Sequence, residues 1–405
     1  MSGFSSGFPG ARDIARDILN RLRSVPDLAD RYTDVVTLDS LEDLVHVPVM
    51  QRDDINVALA HLKPRAREGA TWMFQSGGTT GSPKLGFAPT GLYMAEVHQQ
   101  WKPIGPDDLF VNGWSAGKLW GGHYLVAAYA DLTGCTGVPL GSIGKHEYDD
   151  WFGFFIERGV TAIGGSPSGL RALFGYAREN GIKLPELRSV LWLGEAWHPQ
   201  LDADIPAVAP NARRWGLYGS TETWVLGTNT PDCPDDTWHL LPSQLAHVGA
   251  DQLIDFTSLK PHGLNPVLRY QTGDAGEWVD CACGAEGRAL RLLGRRDGVV
   301  KFRSVGIDVD AMIADVGSWP GVSRAQLRMN EFADRLPTLE LLVCPAREAT
   351  RDLPDRLHEH VLATTFALRD VLRTDPAGFK VVLVDEPVSN ERTGKTADLI
   401  VRRVQ

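Results

Sequence analysis

Apolar positions in the first part of the chain fall at helical spacing. Ile14, Ile18, Leu19 and Leu22 share one face between Ala11 and Ser24, which predicts an amphipathic helix. From residue 151 the pattern moves between two periods. Trp151–Arg158 reads as the end of a helix and Val160–Ile163 as a short apolar strand. Ser168–Asn180 reads as a helix stopped by Gly181, and Ser189–Leu193 as a second strand. Alternation of this kind predicts an α/β fold, a parallel or mixed sheet covered by helices. No internal repeat or low-complexity tract breaks the pattern.

The segment Leu293-Gly-Arg-Arg-Asp-Gly298 is short, charged and flanked by glycine, and it divides the chain unequally. The shorter, C-terminal part reads as strand (Val299–Phe302), helix (Ala311–Val316), strands (Ala325–Met329 and Leu339–Val343), helix (Leu353–Val371) and strand (Phe379–Val384). The expected organisation is a large N-terminal domain of sheets and helices over residues 1–293, a hinge at 294–298, and a small α+β unit over 299–405. A compact tail on a short hinge is the architecture of a mobile lid.

Composition narrows the partners. A net charge of −10 argues against nucleic acid or an anionic membrane as the main partner. An acidic protein that binds a polyphosphate must therefore gather its basic groups locally. Lys84, Arg295 and Lys395 all fall in motif-like segments. No run of 18 apolar residues exists to cross a membrane, and Met1–Gly10 lacks the basic and apolar regions of a secretory signal. Five cysteines, an odd and small number for 405 residues, fit a reducing compartment, and the expected location is the cytoplasm.

The chemistry begins at Thr71-Trp-Met-Phe-Gln75, a strand-like segment that runs into Ser76-Gly-Gly-Thr-Thr-Gly-Ser-Pro-Lys84. Glycines let backbone N–H groups approach an anion, hydroxyls add donors, and Lys84 adds positive charge. The loop lacks Walker A spacing. Four more segments come after it in order. Trp215-Gly-Leu-Tyr-Gly-Ser-Thr-Glu222 is a strand running into a turn, and Tyr270-Gln-Thr-Gly-Asp274 places an aspartate after a tight turn. Gly294-Arg-Arg-Asp297 is the hinge, and Asn390-Glu-Arg-Thr-Gly-Lys395 is a polar loop presenting a lysine.

This ordered series resembles the AMP-forming adenylating superfamily of acyl-CoA synthetases, peptide-synthetase adenylation domains and luciferases. Within it the chain is most similar to phenylacetate–CoA ligases, through Gly117-Lys-Leu-Trp-Gly-Gly-His123, Gly164-Gly-Ser-Pro167, Leu193-Gly-Glu-Ala-Trp197 and Asp280-Cys-Ala-Cys-Gly284. The resemblance implies an ATP-dependent ligase that adenylates a small, aromatic acid, releases pyrophosphate and passes the acyl group to CoA. It implies that Ser76, Thr79, Thr80 and Lys84 hold the β- and γ-phosphates. Gly194, Glu195 and Ala196 would line the adenine, with Tyr218 and Gly219 beside it. Thr221 would contact the α-phosphate and Glu222 would hold Mg²⁺, a hard cation that prefers oxygen. Asp274, supported by Arg295, suits the ribose hydroxyls. Lys395 would bridge acid and phosphate in the transition state, with Asp297 as the pivot. A homodimer is left open.

Cys233-x₅-His239 and Cys281-x-Cys283 offer three thiolates and an imidazole, a tetrahedral set for structural Zn²⁺. Neither pair has finger spacing, and reduced, buried cysteines are the other reading; the resemblance favours zinc, because some phenylacetate–CoA ligase-like proteins carry it in this region. Cys135 and Cys344 read as core. Trp114, Trp120, Trp197 and Trp224 lie in or beside the motifs, either as a wall for an aromatic acid or as core, and His123 has the same two readings. A hydrolase is rejected, since Gly164-Gly-Ser-Pro-Ser168 lacks the last glycine of a nucleophile elbow. A non-catalytic nucleotide binder is disfavoured by the presence of both Lys395 and Glu222. The acceptor is less determined. Family members that use CoA carry a glycine that aligns with Ser304, whose Cβ and hydroxyl would narrow the passage, while Gly306 two residues later would restore it if the loop shifts. CoA leads as acceptor, with an amine or carrier protein as the alternative. Adenylation of another oxyanion, such as nitrite for diazotisation of an aryl amine, is a third reading.

Overall fold

The computed structural model describes residues 8–34, 38–75, 84–260, 263–296, 298–332, 335–347, 349–388 and 398–404. Its main element is an 11-stranded sheet made of two unlike halves. In one half, Thr136–Val138, Leu109–Asn112, Ala162–Gly165, Ser189–Leu193 and Arg213–Ser220 run parallel as neighbours in that order. In the other, Trp224–Asn229, Thr237–Leu240, Ala289–Arg295, Tyr270–Val279, Leu253–Ser258 and Gln244–Val248 pair antiparallel. The halves meet where Arg213–Ser220 turns back into Trp224–Asn229.

Parallel strands need crossovers, and the helices that supply them cover both faces. Ser189–Leu193 is accordingly buried along almost its whole length. On one face, helices Tyr148–Arg158, Pro167–Glu179 and Leu201–Val208 pack through Phe152, Phe155, Phe174 and Ile205 onto Val190 and Trp192. Pro167–Glu179 starts where the sequence directs it. Ser166 caps it by accepting the Gly169 N–H at 3.2 Å, and Pro167 occupies the first turn, where no N–H is needed. The opposite face holds helices Met94–Gln100 and Gly122–Thr133.

The predicted first helix spans Ala11–Arg23 and buries Ala11, Ala15, Ile18, Leu19 and Leu22. It packs with Tyr32, Leu44, Met50 and Ile55 against Leu245, Leu259, Val267, Leu268 and Tyr270, far along the chain. Arg269 fastens this layer by donating to the carbonyls of Val45 (2.8 Å) and Val47 (2.7 Å). No helix among the described residues is long and apolar enough to cross a membrane.

The C-terminal region has its own core around Phe302, Met312, Leu327, Leu341, Leu357 and Phe379. A four-stranded sheet, in the order Phe379–Leu383, Thr338–Pro345, Val322–Phe332, Leu399–Val404, carries helices Val309–Gly317, Leu353–Thr364 and Phe366–Val371. A separate hairpin pairs Val299–Phe302 with Val305–Asp308. The single helix expected over 353–371 is broken at Thr365, which is buried and non-helical. Two successive β-branched residues, Thr364 and Thr365, make that the weakest point of the run. The strand expected at 160–163 begins two residues later, at Ala162.

Candidate functional site

The parallel strands end on one edge, and the loops leaving them converge there, where α/β sheets bind ligands. Arg213–Ser220 leaves through a three-residue loop, Thr221-Glu222-Thr223, closed by the pairing of Ser220 with Trp224. Trp224 has φ +62°, a left-handed conformation that costs a bulky residue about 1–2 kcal/mol. The loop is fixed by reciprocal bonds: Ser220 N–H to Thr223 Oγ1 (3.2 Å) and Thr223 N–H to Ser220 Oγ (3.3 Å). Gly86, on strand Leu85–Pro89, passes so close that a Cβ there would lie 1.9 Å from the Thr221 carbonyl oxygen.

Glu222 is 1% exposed at the tip of this loop. Its Oε1 lies 2.8 Å from Lys84 Nζ and accepts the Tyr270 hydroxyl at 2.6 Å. Asn265 Nδ2 donates to the Glu222 carbonyl at 2.7 Å. Burial alone would raise the pKa of this carboxyl, but the Lys84 charge and the two donors outweigh it and bring it down to about 2. Burial and the Glu222 charge push the Tyr270 phenol well up, so it stays a donor. The result is an ionised carboxylate held in a dry place beside a cation.

The second cluster joins the two halves of the sheet. Tyr218 donates to Asp274 Oδ2 at 2.6 Å, and Arg295 Nη1 donates to Asp274 Oδ1 at 2.9 Å. Arg295 Nη2 also reaches the Thr272 carbonyl at 2.8 Å. Asp274 does not follow a tight turn, as the sequence suggests. It lies within strand Tyr270–Val279, directly across from Arg295, and the cross-strand register makes the ion pair. Tyr218 sits among Trp238 (5.5 Å between centroids) and Phe256 (6.0 Å), and burial followed by the Asp274 charge keeps its phenol protonated.

Glu195 follows strand Ser189–Leu193 and Gly194, whose φ of +93° turns the chain. The carboxylate of Glu195 accepts Ser168 N–H on Oε2 and Ser168 Oγ on Oε1, both at 2.8 Å. It also accepts Ser304 Oγ, from the C-terminal region, at 2.9 Å. A cavity of about 180 Å³ opens beside it, lined by Ser168, Arg171, Ala196, Lys301, Arg303 and Glu331 among others. Burial, then the Arg171 charge, lowers the pKa of His198 at its wall.

Aromatic residues crowd the space beyond Leu109–Asn112. Trp114 lies against Gly164, where a Cβ would fall 2.3 Å from the indole. Phe74 meets Trp224 edge-on at 5.3 Å and Tyr124 at 5.7 Å. His123 is buried, with Nδ1 2.7 Å from the Trp114 carbonyl oxygen, so Nδ1–H donates there. Trp120 and Trp197 do not join this wall. The Trp120 indole donates to Asp370 of the C-terminal region at 3.1 Å, and Trp197 is buried against Trp192 at 5.4 Å.

Cys233, His239, Cys281 and Cys283 come together from two loops and a strand, their ligand atoms all within 4.8 Å of one another. His239 Nε2 lies 3.1 Å from Cys283 Sγ. Tetrahedral zinc with bonds of about 2.0–2.3 Å needs ligand atoms roughly 3.3–3.8 Å apart, so the set could hold such an ion after small side-chain adjustments. Cys344 is buried as expected, whereas Cys135 is only half-buried.

Ser76, Thr79, Thr80, Asp297 and Lys395 lie outside the described residues. Tyr270 and Ser168 bind the site's carboxylates, and Asn265 the Glu222 backbone carbonyl, without having been singled out from sequence. Tyr270 opens the Tyr270–Asp274 motif, but nothing local marked Asn265 or Ser168. Gly306 also differs from expectation. It lies inside strand Val305–Asp308, and Arg303 and Ser304 make the turn, at φ +47° and +73°.

The chain superposes on 2-hydroxyisobutyryl-CoA ligase in complex with 2-HIB-AMP and CoA in the thioesterification state with a TM-score of 0.75. Identity is 19%, over 97% of this chain and 89% of that one. The same ligase in its postadenylation state, with 2-HIB-AMP, gives 0.58 over the same 97%. A malonyl-CoA ligase with methylmalonyl-CoA and AMP bound gives 0.56 at 17% identity, covering 78% of this chain and 71% of that one. The amide bond synthetase McbA from Marinactinospora thermotolerans gives 0.56 at 18%, covering 80% and 67%. A search of curated protein sequences finds no significant match. The family model for AMP-binding enzymes matches residues 13–250, more than half of the chain. With that match and this fold, the chain belongs to the AMP-binding enzyme family and is an adenylate-forming ligase.

Proposed function

We propose that this ligase joins ATP to a small aromatic carboxylic acid, releases pyrophosphate and passes the acyl group to CoA. The observation that carries the reading is the buried Glu222, ionised beside Lys84 at the carboxyl edge of the sheet. Attack of the acid's carboxylate oxygen on the α-phosphorus breaks the bond to pyrophosphate, and the leaving charge must be neutralised. Lys84 would take up part of that charge. Glu222 would hold Mg²⁺, which supplies further charge neutralisation at the phosphates. Asp274, fixed by Arg295 and Tyr218, would accept from ribose hydroxyls, and the fixed geometry would limit the reorganisation needed. Thr221 on the Glu222 loop is the proposed α-phosphate contact, and Lys395 the proposed bridge in the transition state. The clustering of Phe74 with Trp224 and Tyr124, and Trp114 in the same core, supports an aromatic acid, which such rings would suit.

The phenylacetate–CoA ligase likeness and CoA as acceptor belong to this proposal. A non-CoA acceptor is the second reading, favoured by Ser304 at the turn where a CoA-using relative is expected to carry glycine. Pyrophosphate exchange over benzoic, phenylacetic and cinnamic acids, with nitrite included, tests the first step. Exchange with an aromatic acid is expected, and no exchange with any of them from folded protein with Mg²⁺ would sink the reading. CoA, amines and a carrier protein offered to the preformed adenylate then separate the acceptors.

The cysteine cluster is proposed as a structural zinc site, because all four donors are protein atoms and the site joins distant strands. Elemental analysis of untagged protein is expected to find about one zinc per chain. Cys281→Ser should lower the unfolding midpoint more than it lowers adenylation per folded molecule, since the ligand set contributes folding energy.

A further inference from the structure

The C-terminal region meets the large domain through Trp120, which packs on its apolar core and donates to Asp370 at 3.1 Å, and through several further polar contacts. Arg52 pairs with Asp308 at 3.0 Å, Lys118 pairs with Asp370, and Arg171 donates to the Arg335 carbonyl at 3.1 Å. The contact made by Ser304 is peculiar in its backbone. Phe302 pairs with Val305, so Arg303 and Ser304 alone form the hairpin loop, and both lie in the left-handed region. Such two-residue turns favour asparagine and glycine, and this one has neither. Arg303 is held within its own domain, donating to the Pro337 carbonyl at 2.9 Å and to Asp375 at 2.7 Å. Ser304 has its bond across the interface, to Glu195 at 2.9 Å, on a carboxylate that Ser168 already holds by two bonds.

We infer that Ser304 is a positioning residue for the second half-reaction, acting through Glu195 to latch the C-terminal region in the orientation seen here. This rests on the two-step ligase reading above. The orientation is supported by the comparison with a single relative, which scores 0.75 in its thioesterification state and 0.58 in its postadenylation state over the same share of this chain. A glycine at this turn would relax the backbone and carry no hydroxyl. A serine tolerates the strained turn because the turn places Oγ against Glu195. The latch therefore exists only while the two domains are docked, and breaking it leaves Glu195 still satisfied by Ser168. The stored backbone conformation and the cross-domain bond act on the same equilibrium, the fraction of molecules docked for acyl transfer.

The test reads orientation directly, without substrate. Dyes are attached through bio-orthogonal residues replacing Ile156 and Leu383, both exposed, one in each domain. Single-molecule energy transfer should show one dominant distance in the wild type. Ser304→Ala and Ser304→Gly should each raise the undocked fraction about tenfold, while Ser304→Asn, which suits the left-handed turn and keeps an amide within reach, should stay close to wild type. In single-turnover kinetics, Ser304→Gly should form adenylate at least as fast as wild type and transfer the acyl group several-fold more slowly, with KM for ATP unchanged. An unchanged distance distribution in both Ser304→Ala and Ser304→Gly would overturn the latch. So would faster acyl transfer in Ser304→Gly at unchanged distance, which is the signature of steric crowding. A shifted distribution from a protein that exchanges pyrophosphate with no acid would support the latch and sink the ligase reading instead.

Discussion

Two hairpins reach the same site and solve the same backbone problem differently. The Glu222 hairpin places Trp224 at φ +62°, and the Ser304 hairpin places Arg303 and Ser304 at +47° and +73°. Around Glu222 the compensating contacts among the described residues come from the large domain: Lys84, Tyr270, Asn265 and the reciprocal Ser220–Thr223 bonds. Around Ser304 the compensation is divided between its own domain and Glu195 on the other side. The first loop is therefore a permanent part of a packed core. The second is complete only in one arrangement of the domains. On the proposed two-step reading, a site rigid for phosphoryl chemistry with a C-terminal region that is released between steps would need one loop of each kind.

The strongest way to break the contrast is Glu222→Gln. It removes the charge that pairs with Lys84 while preserving shape, and adenylation should fall about 10²–10³-fold in a pyrophosphate-exchange assay. Breaking a buried pair from one side should also cost about 3 kcal/mol in urea unfolding. Wild-type values in both assays would show that the buried carboxylate has no special role.

A second measurement uses pH. The Glu222 carboxyl is held near a pKa of about 2, below its ordinary value of 4.5. A carboxylate depressed on folding contributes stability that is fully present above the unfolded value and lost as pH falls through the folded one. The wild type should therefore lose stability between about pH 4.5 and 2 more steeply than Glu222→Gln. Parallel curves for the two proteins in urea titrations over the accessible part of that window would contradict this.

The smallest effect sharpens the other side of the comparison. Arg303 is 5% exposed at its side chain, but its partner Asp375 is 41% exposed. Asp375→Asn should cost under about 1 kcal/mol, because a partly solvated pair is weak and the bond to the Pro337 carbonyl remains. A loss of several kcal/mol would mean that the lid hairpin is as tightly built into its core as the Glu222 loop.

Legibility followed the range of the interactions involved. Ser189–Leu193 and Val299–Phe302 were readable to the residue, because a short run of apolar and β-branched side chains bounded by polar turns reports its own state. The grouping of Cys233 and His239 with Cys281 and Cys283 was suggested by ligand chemistry and favoured by the family resemblance, and the structure brings the four together. Asp274 was misread because Gly273 signals a turn, whereas the antiparallel register with Arg295 keeps the strand running through it. Strands Val305–Asp308 and Leu399–Val404 were missed: the first follows a two-residue turn that lacks asparagine and glycine, and the second is defined by distant Leu327–Phe332. Asn265 and Ser168 carried no local signal. Their meaning comes from Glu222 and Glu195, brought beside them by strand crossovers.

The packing of the first helices has a consequence for how the chain is made. Ala11–Leu59 bury their apolar faces against Leu245, Leu259, Val267, Leu268 and Tyr270. A ribosome adding 5–20 residues per second reaches those partners about 10–40 s after the helices emerge. During that interval the leading segment is an amphipathic surface without its seat, a natural client for a chaperone. Tyr270, which closes the layer, is also the residue that donates to Glu222. The layer that seats these helices is thus continuous with the hydrogen bond on the buried carboxylate.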